Sequence, residues 1–128
     1  MIRLLVIDDD YFDIMAFKRF FKNIDTIELE TSQSISDAIE KIKKISFDIL
    51  ISDYNLKDGN AFELLEVKGN TPLVIVTGVD SGQIALEALK VGAYDFIVKD
   101  SKGDYIKTLP IVIRNSIERN KSEIKLKE

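Results

Sequence analysis

The stretch LLVIDDD, Leu4 to Asp10, drives four apolar residues into three consecutive aspartates. Carboxylates held side by side at the mouth of a low-dielectric core repel more strongly than in open water, so this arrangement calls for a positive partner. Asp53, Thr77 and Lys99 each close a further short apolar run. Magnesium prefers oxygen ligands, keeps several waters, and is bound by one or two carboxylates together with phosphate oxygens. A carboxylate beside such a cation can attack phosphorus and become an acyl phosphate. Transfer then depends on positioning and on neutralising the equatorial oxygens, for which the Lys99 ammonium and the Thr77 hydroxyl are suitable groups.

Each of these residues also has an ordinary structural role open to it. The aspartates can cap the helix that comes next, and Asp10 is assigned that role. In SDYNLKDGN, Asp53 can be a turn residue, as Asn55, Asp58 and Gly59 are expected to be. Thr77 can simply end a strand before Gly78, and a single lysine such as Lys99 is most often a solvated surface charge. The combination at several strand ends is what favours a shared site.

The scaffold that brings these residues together is legible in the pattern of the chain. Short apolar runs alternate with longer amphipathic ones, which predicts an α/β fold: one parallel sheet with helices on both faces. Strands are expected at Leu4 to Ile7, Ile27 to Thr31, Asp48 to Ile51, Leu73 to Val76 and Phe96 to Val98. Four are nearly continuous runs of Val, Ile, Leu or Phe, as for strands buried on both faces, whereas IELET alternates and reads as an edge. Helices are expected after Asp10, after Ser34 with Ala38, Ile42 and Ile45 inward, after Asn60 with Glu63 as a capping partner, from Ser81 to Gly92, and from Asp104 or Thr108 onward. In the last, Ile106, Leu109, Ile113 and Ile117 point inward, and Pro110 is expected in the first turn, where a missing N–H costs little. Right-handed crossovers bring the strand ends to one edge of the sheet, where ligands of open α/β sheets bind.

Composition narrows the chemistry. A chain of 128 residues, 45% hydrophobic and 31% charged, fits one globular domain. No apolar run approaches the roughly 20 residues of a membrane span, and no signal-peptide pattern opens the chain, so a cytoplasmic protein without membrane contact is expected. Cysteine and histidine are both absent, which removes disulfides, thiol nucleophiles, Ser-His-Asp triads and ordinary zinc sites. A formal net charge of -4 argues against direct nucleic-acid binding, which calls for a basic stripe.

Taken together, LLVIDDD, FDILISDYNLKDGNAFELL, TPLVIVTG and ALEALKVGAYDFIVKD resemble the receiver domain of a two-component response regulator, over about Ile2 to Ile117. The resemblance implies a doubly wound five-stranded sheet with flavodoxin-like strand order 2-1-3-4-5, spanning residues 1–120, with 121–128 as a helical extension or the start of a linker. It implies that Asp53 is the phosphoacceptor for a sensor histidine kinase or phosphotransfer protein. Magnesium would be held by Asp8, Asp9, Asp53 and the main-chain carbonyl of Asn55. Thr77 and Lys99 would contact the phosphoryl group, and Phe96 would occupy the aromatic switch position. The signalling face would be the helix from Ser81 to Val91, the strand ending at Val98 and the helix after Asp104, open to a downstream target, a fused output domain or a second copy of the chain.

The resemblance implies a switch rather than an enzyme. The alternative, a magnesium-dependent small-molecule phosphohydrolase, commonly carries a DxD pair on its nucleophile strand and an enclosing cap; the strand here reads ISDYNL and no insertion is long enough for a cap. A phosphate-dead interaction module is a third class, disfavoured because every expected site residue is present. The chain also departs from the family pattern. Asp100 follows Lys99 where a cis proline is usual, and a trans bond is expected because a non-proline cis bond costs about 3 kcal/mol or more. Lys57 replaces a common proline and Ala61 a common glycine. Val79 and Asn55 occupy positions that influence the lifetime of the acyl phosphate, and valine offers no group to orient water, so slow loss is expected.

Overall fold

Alternating side chains along a strand face opposite sides of a sheet, and a strand apolar at every position must therefore be covered on both. In the structure, a computed structural model that describes residues 1–78 and 82–127, this requirement is met by β1 (Ile2–Ile7), β3 (Ile49–Asp53) and β6 (Leu73–Gly78). With β2 (Ile27–Ser32) and β7 (Asp95–Lys99) they form a five-stranded sheet in the order β2-β1-β3-β6-β7, all pairs parallel. The two-residue strands β4 (Asn55–Leu56) and β5 (Gly59–Asn60) pair antiparallel in a separate small hairpin. Without that hairpin the order is the flavodoxin-like one expected.

Leu4, Val6, Ile49, Ile51, Val74 and Val76 line one face under α1 (Tyr11–Phe21) and α4 (Tyr105–Lys127), which contribute Ile14, Phe17, Phe21, Leu109 and Ile113. Leu5, Ile7, Leu50, Leu73 and Ile75 line the other under α2 (Ile35–Lys44) and α3 (Gly82–Val91), with Ala38 and Ala88 inward. Full burial of each such aliphatic side chain contributes about 1.5–3 kcal/mol. The expected edge strand IELET is indeed β2, with alternating exposure.

Three expectations need correction. The run Phe96 to Val98 reads as a strand buried on both faces, yet β7, at the sheet edge as the order 2-1-3-4-5 implies, is half-buried along its length, with Val98 exposed. The segment after Asn60 is a six-residue 3-10 helix, Ala61–Glu66, although the expected capping box forms: Asn60 accepts from Phe62 N–H, and Glu63 accepts from Asn60 N–H. Pro110 lies inside α4 rather than in its first turn, because the helix already starts at Tyr105. That early start has a cause: the Asp100 carboxylate accepts the backbone N–H groups of Asp104 and Tyr105 at 3.2 and 2.9 Å. No cis peptide occurs among the described residues, so Asp100 follows Lys99 in trans. Ser81, expected to open α3, and Val79 lie outside the described residues. Gly92, with φ +117°, ends α3 as expected.

Candidate functional site

The carboxyl ends of the strands gather the charged residues. Asp8 follows β1 directly, its N–H donating to Ser32 O at 3.0 Å, and it is only 3% exposed. Its Oδ1 accepts the Asp10 N–H at 2.9 Å. Asp53 is the last residue of β3, where the Tyr54 N–H donates both to Asp53 Oδ1 and to Val76 O at 3.0 Å. Thr77 pairs with Val98, and Gly78 with Lys99, in the β6–β7 ladder. Pairing of backbones is indifferent to side-chain polarity, so the ladders extend past the apolar runs and include Asp53, Thr77 and Lys99.

Asp8, Asp9 and Asp53 each place a carboxylate oxygen within 4.8 Å of the others. The Lys99 ammonium stands among carboxylates, with Nζ 3.1 Å from Asp8 Oδ2, 3.8 Å from Asp53 Oδ2 and 2.5 Å from Asp13 Oδ2. Thr77 is 2% exposed, and its hydroxyl has no hydrogen-bond partner among the described residues. Phe96 lies in β7, partly buried, three residues before Lys99; Asn55 is exposed at the start of β4, two residues after Asp53.

Electrostatics show where charge is uncompensated. Burial pushes the Asp8 carboxyl up to about 6; the Asp10 N–H and Lys99 oppose this without overcoming it, and the charge of Asp53 adds to it. Burial likewise raises Asp53, against the pull of Lys99 and of the Tyr54 N–H. Burial works against the charge on Lys99, yet the hydrogen bond to Asp13 and the charges of Asp53 and Asp8 outweigh it, and the ammonium is held above its ordinary range. One lysine thus does not satisfy the set. Three converging carboxylate donors, two of which resist ionisation, fit magnesium, whose two positive charges would compensate them.

Several residues that bear on the site were not singled out from the sequence. Asp13 lies in the first turn of α1, behind the N-cap Asp10, whose carboxylate accepts from Phe12 and Asp13 N–H. Tyr105 packs edge-on against Phe17, and its buried hydroxyl has no partner among the described residues. Burial raises its phenol above the ordinary range, with Lys99, Asp13, Asp8 and Asp53 all acting on it. Asp58, expected as a turn residue, also reaches across to α2: its two oxygens accept the N–H groups of Ile35 and Ser36 at 2.9 and 3.0 Å, which holds its carboxyl below the usual range. The loop after Asp53 is thereby tied to the start of a neighbouring helix. The available sequence signals were the helix-start position of Asp13 and the turn setting of Asp58; neither names a partner.

Comparison with known proteins agrees with this fold. The family model described as "Response regulator receiver domain" matches residues 4–109. The chain is 31% identical over 102 residues to the sensory transduction protein LytT of Bacillus anthracis, covering 77% of this chain and 42% of that protein. It is 32% identical over 102 residues to a protein-glutamate methylesterase/protein-glutamine glutaminase of Archaeoglobus fulgidus, covering 76% of this chain and 29% of that one. The match therefore covers less than half the length of these curated relatives. Among solved structures it resembles a response regulator receiver domain protein from Clostridium thermocellum, with a TM-score of 0.81, 26% identity, and coverage of 94% of this chain and 98% of that one.

Proposed function

Because the chain belongs to the response regulator receiver domain family, we propose that it is a phosphorylation switch in which Asp53 accepts a phosphoryl group from a sensor histidine kinase or phosphotransfer protein. The observation that supports this best is the convergence of Asp8, Asp9, Asp53 and Lys99 at one sheet edge, beside a buried Thr77 hydroxyl that lacks a partner among the described residues.

An Asp53 oxygen forms the new bond to phosphorus while the bond from phosphorus to the donor nitrogen breaks, and the imidazole leaves. Asp8, Asp9, Asp53 and the Asn55 carbonyl would hold magnesium, which supplies positive charge for the phosphoryl oxygens. The Lys99 ammonium pairs with one phosphoryl oxygen, and the Thr77 hydroxyl donates to another. Thr77 is drawn towards the site, space opens beside β7, and the ring of Phe96 turns into it. The output face is then α3, β7 and α4, where Leu86, Leu89, Val91, Val98 and Ile111 are exposed. A downstream protein, a fused output domain or a second copy of the chain would read that face. Residues 1–120 form the receiver, and the rest of α4 extends from it. No helix among the described residues is long and apolar enough to cross a membrane, and a cytoplasmic setting fits the kinase partner.

The phosphohydrolase alternative is not favoured. The residue two past Asp53 is Asn55, not a second aspartate, and the next elements are a short hairpin and a 3-10 helix instead of a cap. Incubation with magnesium and acetyl phosphate should raise the intact mass by one phosphoryl group, and Asp53→Asn should abolish the gain. Equal yield from Asp53→Asn would remove Asp53 from the mechanism, and turnover of p-nitrophenyl phosphate well above background would restore the enzyme reading.

A further inference from the structure

Asp13 has no part in the transfer chemistry above, and it is not among the carboxylates grouped for a metal. It is nevertheless the closest partner of Lys99: its Oδ2 is 2.5 Å from Nζ, against 3.1 Å for Asp8 and 3.8 Å for Asp53. The side chains of Asp13 and Lys99 are 28% and 23% exposed, so solvent screens the pair only in part. An ion pair this close is among the stronger contacts available to a lysine.

We propose that Asp13 is a positioning residue acting through Lys99, a brake whose nearer contact with the ammonium must be given up when a phosphoryl group on Asp53 competes for it. The proposal rests on Asp53 being the acceptor. A phosphoryl group brings a charge of about -1.5 to -2 to Asp53, and Lys99 Nζ must move towards it from its nearest contact. Asp13 then loses its partner while facing an increased negative charge, and both consequences oppose phosphorylation. Replacing the carboxylate by an amide of the same shape removes the repulsion and frees the ammonium. Asp8 still retains Lys99 at the site in that variant.

The test compares the full chain with Asp13→Asn, Asp13→Ser, Asp13→Glu, Lys99→Met and the double variant Lys99→Met/Asp13→Asn. The readouts are the initial rate of mass gain from acetyl phosphate at saturating magnesium, the affinity for beryllium fluoride as phosphoryl analogue, and magnesium affinity by calorimetry. Asp13→Asn and Asp13→Ser should raise the rate and tighten beryllium fluoride binding by about three- to tenfold, a factor of ten corresponding to 1.4 kcal/mol. Magnesium affinity should stay close to that of the parent, and Asp13→Glu, which keeps the charge, should restore the parent rate. With Lys99→Met in place there is no ammonium to free, and the Asp13→Asn gain should shrink to what relief of direct repulsion supplies. Rates equal to or below the parent in both Asp13→Asn and Asp13→Ser overturn the brake, and so does an undiminished gain in the Lys99→Met background. A parent that takes up no phosphoryl group overturns the acceptor reading and this proposal with it; a phosphorylated parent with unresponsive Asp13 variants overturns this proposal alone.

Discussion

Asp8→Asn separates what the site needs from what the fold prefers. Asp8 is 3% exposed, and burial raises its carboxyl from 3.8 to about 6. A carboxyl whose folded pKa lies above its unfolded value binds more protons in the folded state, so stability is highest below about pH 3.8 and declines until the pH passes about 6. Between those limits the cost of ionising Asp8 amounts to about 3 kcal/mol, at 1.36 kcal/mol per pH unit. Asparagine avoids that cost and can still accept the Asp10 N–H, and Lys99 keeps Asp13 as a partner. In urea unfolding without metal, Asp8→Asn should therefore exceed the parent by about 2 to 3 kcal/mol near pH 7.5, with the difference shrinking to under about 1 kcal/mol near pH 4. Magnesium should erase most of that lead by stabilising the parent more, by about 2.7 kcal/mol at a concentration 100 times Kd. A gain that is absent near pH 7.5, or equal at both pH values, would refute the assignment of the raised carboxyl to burial of Asp8.

Thr77→Ala should still take up phosphate at Asp53 but lose the response of the output face; hydrogen exchange with and without beryllium fluoride should show changes across residues 78–104 in the parent and little in the variant. An equal response from both would break the coupling through Thr77 and leave the acceptor untouched. Tyr105→Phe removes a buried hydroxyl that lacks a partner among the described residues and keeps the packing on Phe17, so stability should rise by about 1 kcal/mol in urea unfolding. A comparable loss would show that the hydroxyl is hydrogen-bonded in solution.

The sheet and the cluster of carboxylates at its edge were legible in the sequence for one physical reason: a parallel α/β chain brings every strand's carboxyl end to the same edge. Asp8, Asp9, Asp53 and Lys99 are grouped by that alone once the strands are placed. The partial exposure of β7 is not, because Phe-Ile-Val has the same composition whether one neighbour or two pair with it. Asp13 escaped for a related reason. Its contact with Lys99 depends on how α1 sits against β7, and no periodicity encodes the offset between elements so distant in sequence. The reach of Asp58 to Ile35 and Ser36 is hidden in the same way. Pro110 was misplaced because the start of α4 is fixed from outside the helix, by Asp100.

The position of Pro110 has a mechanical consequence. Proline cannot donate to the carbonyl one turn earlier, so α4 has a compliant joint between Tyr105 and the body of the helix. Each side of the joint is moored separately. The first turn is tied to Asp100, next to Lys99, while Asn120 Nδ2 donates to Asn70 O at 2.8 Å and Arg119 lies over the ring of Tyr94. At 1.5 Å per residue the 23 residues of α4 span about 35 Å. A rigid rod held at one end would sweep its far end through several ångströms for a small tilt at the other; this one can flex at the joint while its distal mooring stays fixed. Displacement near Lys99 is thus absorbed close to the site, and the surface around Ile111, just past the joint, is where bending is felt first.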